Sequence, residues 1–124
     1  MTDAHMVAYW IVAALLSLMY LFAGSMKLLR SKEQLAPMMA WVDTIPMPVV
    51  RLIGVVEVLG VLGLILPPLT GIAPALAVVA ATGFVVLQVL ATALHVSRHE
   101  LKNLPMNIVL LLLAAVAAWL ATAL

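Results

Sequence analysis

Four apolar runs, each long enough to cross a lipid bilayer, decide most of what this chain can fold into. They cover about Val7 to Leu29, Val49 to Leu66, Gly71 to Leu94 and Met106 to Ala123, and a hydrocarbon core of about 30 Å takes roughly 17 to 25 helical residues. Hydrophobic residues make up 67% of the chain and charged ones 9%, too little polar surface for a water-soluble domain. Period-two alternation is absent, which argues against a β-barrel, the other structure lipid accepts. The expectation is an all-α integral membrane protein: a four-transmembrane-helix, up-down-up-down bundle forming a single transmembrane domain over residues 1–124.

The first run is expected to be a span and not a cleaved leader. Met1 to Met6 holds Asp3 and His5 but no Lys or Arg, and the apolar stretch is too long, although Ala23-Gly24-Ser25 looks like a cleavage site. With no cysteine, the chain has no thiol–disulfide chemistry or thiolate metal site of its own. A net charge of +1 gives no reason to expect nucleic acid as a partner. Lys27, Arg30, Lys32 and Arg51 surround the first loop, Arg98 and Lys102 occupy the third, and the Pro67-Pro68-Leu69-Thr70 connection has no basic residue. Basic loops stay in the cytoplasm, so both termini are expected outside the cytoplasm in a bacterial inner membrane.

Within the first loop, Ser31 can cap a short helix with Glu33 and Gln34 in its first turn. Leu35, Met38, Met39 and Val42 add an apolar stripe beside Trp41, which reads as a short interfacial helix in the first cytoplasmic loop. Pro46 and Pro48 then lead into the second span, with Pro48 suited to its first turn. Pro74 is placed in the first turn of the third. Tyr9, Trp10, Trp41 and Trp119 suit interface anchors.

One acid lies inside a span. Glu57 sits near the middle of RLIGVVEVLGVLGLIL, Arg51 to Leu66, where a carboxylate must face protein or a wet cavity and have a partner. Ser17, Tyr20, Gly24 and Lys27 share one helical face of the first span. Side chains lean toward a helix N-terminus, so in antiparallel spans Lys27 and Glu57 lean toward each other. Gly54, Gly60 and Gly63 put small residues on the acid's side, where they allow close helix packing. Gln88, Thr92 and His95 descend the third span, and Asn107 opens the fourth. Sharing one interior, Tyr20, Lys27, Glu57, Gln88, Thr92, His95 and Asn107 would line a ligand-binding cavity near the basic end. Each also has a plainer reading: Lys27 snorkelling to the interface, Gln88 and Thr92 bonding between helices, His95 solvated in a loop, Asn107 as a cap. His95, His99 and Glu100 stand at helical spacing, but the ligand set is too small to expect a metal.

These residues carry a resemblance. YLFAGSMKLL from Tyr20 to Leu29, the second span with Arg51, Gly54, Glu57 and Gly60, His95 ending the third span and Asn107 opening the fourth resemble the DoxX-like family of small four-helix bacterial membrane proteins. The resemblance implies a four-helix inner-membrane bundle linked to membrane oxidoreductase assemblies and quinone-related chemistry. Its members are similar in architecture to membrane bundles that bind hydrophobic molecules beside acidic residues. The resulting expectation is an accessory subunit of a membrane redox system, holding a quinone or lipid in a polar cavity centred on Glu57. Membrane lipid, a redox partner and a second copy of the chain are the expected partners. The alternatives are a proton-coupled transporter of lipophilic compounds, an isomerase or hydrolase with Glu57 and His95 as catalytic acid and base, and an assembly factor in which Lys27 and Glu57 form only an internal lock.

Overall fold

The computed structural model describes residues 3–124; Met1 and Thr2, part of the N-terminal stretch without basic residues, lie outside them. The elements run α1 (Asp3–Leu29), α2 (Lys32–Leu35), a 3-10 turn (Ala40–Asp43), α3 (Met47–Thr70), α4 (Leu76–Ser97), a second 3-10 turn (Leu101–Asn103) and α5 (Leu104–Ala121), with no strand among the described residues. Four of these helices are long and apolar enough to cross a membrane. Only 22 to 28% of the most apolar window of each is buried inside the protein. Leu18, Phe22, Leu59, Val79, Leu112 and their neighbours face outward, so the outer surface requires an apolar solvent.

The long helices close a ring in which α1 packs on α3, α3 on α4, α4 on α5 and α5 on α1. Small residues set the distances. Ala77 and Ala81 of α4 and Ala114 and Ala117 of α5 are fully buried, which lets those helices approach closely. Between α1 and α3 the approach is closer still: a Cβ on Gly54 would lie 2.9 Å from the Gly24 carbonyl oxygen, and one on Gly24 would lie 3.1 Å from the Gly54 oxygen. Each glycine also sits against the other helix's charged residue, Gly24 against the Glu57 Cβ and Gly54 against the Lys27 Cβ. The repeated spacing of three, Gly24 to Lys27 and Gly54 to Glu57, thus brings the two charges together where the α1 and α3 backbones approach closely.

Three elements differ from expectation. The second span does not stop at Pro67-Pro68; α3 continues to Thr70 and ends on Gly71 in left-handed backbone, φ 73°. A proline removes the hydrogen bond to the carbonyl four residues earlier, and for Pro68 that carbonyl is Leu64. The Tyr9 hydroxyl donates to it at 2.5 Å, so the carbonyl keeps a partner without breaking the helix. Tyr9 is accordingly fully buried and not an interface anchor.

The turn moves with this extension. Ala73 takes φ 48°, Pro74 precedes the third long helix, and α4 begins at Leu76. In the first loop, Ser31 does cap α2, with Gln34 closing a capping box. The expected helix through Val42 instead breaks after Leu35 into a separate 3-10 turn, because Pro37 supplies no N–H to continue it. Leu35, Trp41 and Val42 fold inward onto Val50 in a small core of their own.

Candidate functional site

A cavity of about 300 Å³ lies between α1, α3, α4 and α5 beneath the Trp41 turn. Tyr20, Lys27, Glu57, Gln88, His95 and Asn107 all line it, together with apolar side chains that include Met19, Ile53, Leu87, Leu90 and Leu110. Thr92 does not. Its hydroxyl donates back to the Gln88 carbonyl at 2.7 Å, the usual way a threonine is satisfied within a helix. Leu90 is exposed on the outside of the bundle and also lines the cavity, so the cavity communicates with the lipid-facing surface.

The Lys27 ammonium stands 2.7 Å from Glu57 Oε1, with 7% of Lys27 and 2% of Glu57 accessible. Lys27 does not snorkel. The contact is an ion pair that balances the charge on Oε1, and that oxygen has no further partner among the described residues. Such a pair is sensitive to the loss of either member, because the survivor becomes an uncompensated buried charge. The ammonium also lies 5.8 Å from the Trp41 ring centroid, a cation–π distance.

Deeper in the cavity, Gln88 Nε2 donates to the Tyr20 hydroxyl at 2.6 Å, and the Tyr20 ring stacks on Phe84 with centroids 4.0 Å apart and planes 14° apart. Gln88 Oε1 and Asn107 Nδ2 are buried with no hydrogen-bond partner among the described residues. Asn107 is not the cap of α5; Asn103 occupies that position. Buried polar groups are normally paired, so these two atoms give the cavity an acceptor and a donor that the protein leaves unused.

At the basic end, His95 Nδ1 lies 3.0 Å from Glu100 Oε1, and Arg98 Nε donates to the same oxygen at 3.1 Å. Burial alone would raise the Glu100 carboxyl, but the hydrogen bonds from His95 and Arg98 and their charges hold it below the ordinary carboxylate value. Asn103 Nδ2 also approaches His95 Nδ1 at 3.1 Å. One nitrogen cannot donate to a carboxylate and accept from an amide N–H at once. The consistent arrangement has Nδ1–H donating to Glu100 and the Asn103 amide turned to offer its oxygen. Nε2 is then the nitrogen left for the cavity.

Arg98 ties this corner to the first loop, donating to Thr44 Oγ1 at 2.7 Å and to the Ala40 carbonyl at 3.1 Å. Arg51 donates to the Lys27 and Arg30 carbonyls, both at 2.6 Å, and so satisfies the end of α1 just where Lys27 projects. His99 stands apart, exposed at φ 57°. Glu57 and His95 share the wall of the cavity, but Glu57 is paired with Lys27 and His95 with Glu100, and neither hydrogen-bonds the other among the described residues.

Trp41 is the site residue that sequence reasoning missed. Read as an interface anchor, it forms part of the cavity wall and is 8% exposed. Pro37 marks the end of α2, but nothing in the sequence signals that the following turn folds back over the bundle.

No curated protein and no solved structure matches this chain. A family model described as the DoxX-like family matches residues 11–117, a span that contains every cavity residue from Met19 to Leu110. By that match, the chain belongs to the DoxX-like family.

Proposed function

We propose that this multi-pass membrane protein is a binding subunit that holds a hydrophobic molecule, of quinone or lipid type, in the cavity around Glu57 and serves a membrane redox partner. The observation that carries the reading is the cavity's content: a buried ion pair and two unused amide atoms inside an otherwise apolar bundle. A mostly apolar pocket with a few converging polar groups is the usual form of a ligand site, and about 300 Å³ lies at the small end of that range. The chain carries no cysteine, so thiol chemistry in such an assembly belongs to the partner.

The inner membrane, with both termini outside the cytoplasm, is the location that fits the basic loops. Helices alternating in direction within one domain are supported by two contacts: Tyr9 near the start of α1 with Leu64 near the end of α3, and Arg51 near the start of α3 with the end of α1. The Ser31-capped turn lies on the membrane interface in this arrangement.

Mass spectrometry of small molecules that co-purify with the chain in mild detergent tests the reading. A discrete hydrophobic compound is expected with the wild type, reduced in Gln88→Leu and lost in Glu57→Gln combined with Lys27→Met, a pair of changes that leaves no buried charge. Bulk lipid alone in all three would refute it.

The contact between His95 and Glu100 favours a second, proton-linked reading, either coupled transport or isomerase or hydrolase chemistry with Glu57 and His95. Proton release on addition of a lipophilic compound, abolished in His95→Gln, separates that reading from binding alone.

A further inference from the structure

A second depression, of about 310 Å³, follows the seam between α3 and α4 beyond the polar cavity. Leu87 lines both. Along α3 the wall passes from Ile53 and Glu57 to Gly60 and Gly63; along α4 it passes from His95 and Gln88 to Gly83 and Val79. The two spaces, one with polar side chains in its wall and one without, thus adjoin at Leu87. From Leu87 to Leu76 the groove extends about 16 Å along α4 at 1.5 Å per residue, about half of a hydrocarbon core of roughly 30 Å.

The glycines of this groove do different things. A Cβ on Gly60 would meet the Phe84 ring at 2.4 Å, and one on Gly63 would meet the Ala80 Cβ at 2.9 Å, so these two let α3 and α4 touch at the groove's floor. A Cβ on Gly83 would meet nothing within 4 Å. Glycine inside a helix lowers its stability, and at Gly83 no close contact offsets that. Its effect on the structure is the width of the groove.

The charge of the cavity selects the head group. Lys27 and Glu57 already balance each other, so a charged head would add an uncompensated charge in lipid. Apart from Glu57 Oε1, whose charge Lys27 balances, the cavity atoms without a hydrogen bond among the described residues are one acceptor, Gln88 Oε1, and one donor, Asn107 Nδ2, and a hydroxyl can both donate and accept. Resting on the binding function proposed above, we infer that the ligand is a single-chain amphiphile whose uncharged hydroxyl head sits among Gln88, Asn107 and the ion pair while its hydrocarbon tail lies in the α3–α4 groove beside Gly83.

Photolabelling of the full chain in phosphatidylcholine nanodiscs tests this with dodecanol probes. One carries its diazirine beside the hydroxyl, the other at the chain end, and dodecanoate and dodecyltrimethylammonium analogues serve as charged counterparts. The head probe is expected to label cavity residues such as Tyr20 and Leu110, and the tail probe Leu59, Leu76 and Val79, above lipid-facing Leu112. Gly83→Leu puts a side chain into the groove from a position where a Cβ has open space, so it should not lower the melting temperature. It should lower tail labelling by about tenfold, the equivalent of excluding a couple of methylenes from an apolar contact. Head labelling with tail labels scattered over the outer surface, or tail labelling unchanged in Gly83→Leu, overturns the groove assignment and leaves the cavity reading intact. Equal labelling by the charged analogues overturns the hydroxyl head. Labelling by neither probe above the Leu112 level overturns both the inference and the function it rests on.

Discussion

Neutralising one member of the Lys27–Glu57 pair should destabilise the protein far more than neutralising both. The two groups are 2.7 Å apart and almost wholly buried. Glu57→Gln leaves the Lys27 ammonium with the Trp41 ring at 5.8 Å, a contact worth about 0.5 to 2 kcal/mol. That is less than the loss of a buried counter-ion, for which about 3 to 5 kcal/mol is typical. Lys27→Met leaves Glu57 Oε1 with neither charge nor hydrogen bond, so its cost should be at least as large. The double substitution removes both charges while keeping side chains of similar length, and swaps of this kind are neutral or stabilising in many proteins. The expected outcome is that the double variant recovers at least about 2 kcal/mol relative to the sum of the singles. Reversible unfolding in mixed micelles across the four proteins measures this directly. Additive losses, or singles costing under about 1 kcal/mol as exposed pairs do, would refute the view that this pair is buried and coupled.

Gly54→Ala should cost about 1 to 3 kcal/mol, an overpacking penalty, because its Cβ would meet the Gly24 backbone oxygen at 2.9 Å; Gly83→Ala, with open space, should be neutral or stabilising by up to about 1 kcal/mol in the same unfolding assay. Tyr9→Phe should lose about 1 to 3 kcal/mol by orphaning the Leu64 carbonyl, and the loss should shrink in a Pro68→Ala background, where a backbone N–H returns as donor. For Glu100, whose carboxyl is held below its ordinary value, the stabilising contribution is fully present above about pH 4.3, the unfolded value. It is lost as pH falls through the folded value. Melting temperature followed from about pH 6 down to pH 3 should therefore decline more in the wild type than in Glu100→Gln, and an equal decline would show that the contacts with His95 and Arg98 do not favour the carboxylate.

How much of this was legible depended on whether a residue's role is set by its own helix or by what crosses over it. The spans follow from apolar length alone. The meeting of Lys27 and Glu57 follows from the lean of side chains in oppositely running helices together with the glycine three residues before each charge. Trp41 was not legible because its position depends on how the loop folds after Pro37, a tertiary outcome with no periodic signal. Pro67-Pro68 read as a stop for a related reason. The hydroxyl that compensates Pro68 belongs to Tyr9, far away in sequence, and nothing local to α3 announces it. Thr92 shares a helical face with Gln88 and His95, but its hydroxyl had a backbone acceptor one turn away, and the nearer partner won.

The ion pair also constrains the order in which the protein can be made. Lys27 is synthesised before Glu57, and at about 5 to 20 residues per second the acid follows a few seconds later. During that interval the first span carries a cation with no counter-charge, which is costly at depth in lipid. An unpaired lysine is held more cheaply near the headgroups until α3 arrives, which favours α1 and α3 reaching their final depth together; the same hairpin carries the Arg51 contacts with the Lys27 and Arg30 carbonyls.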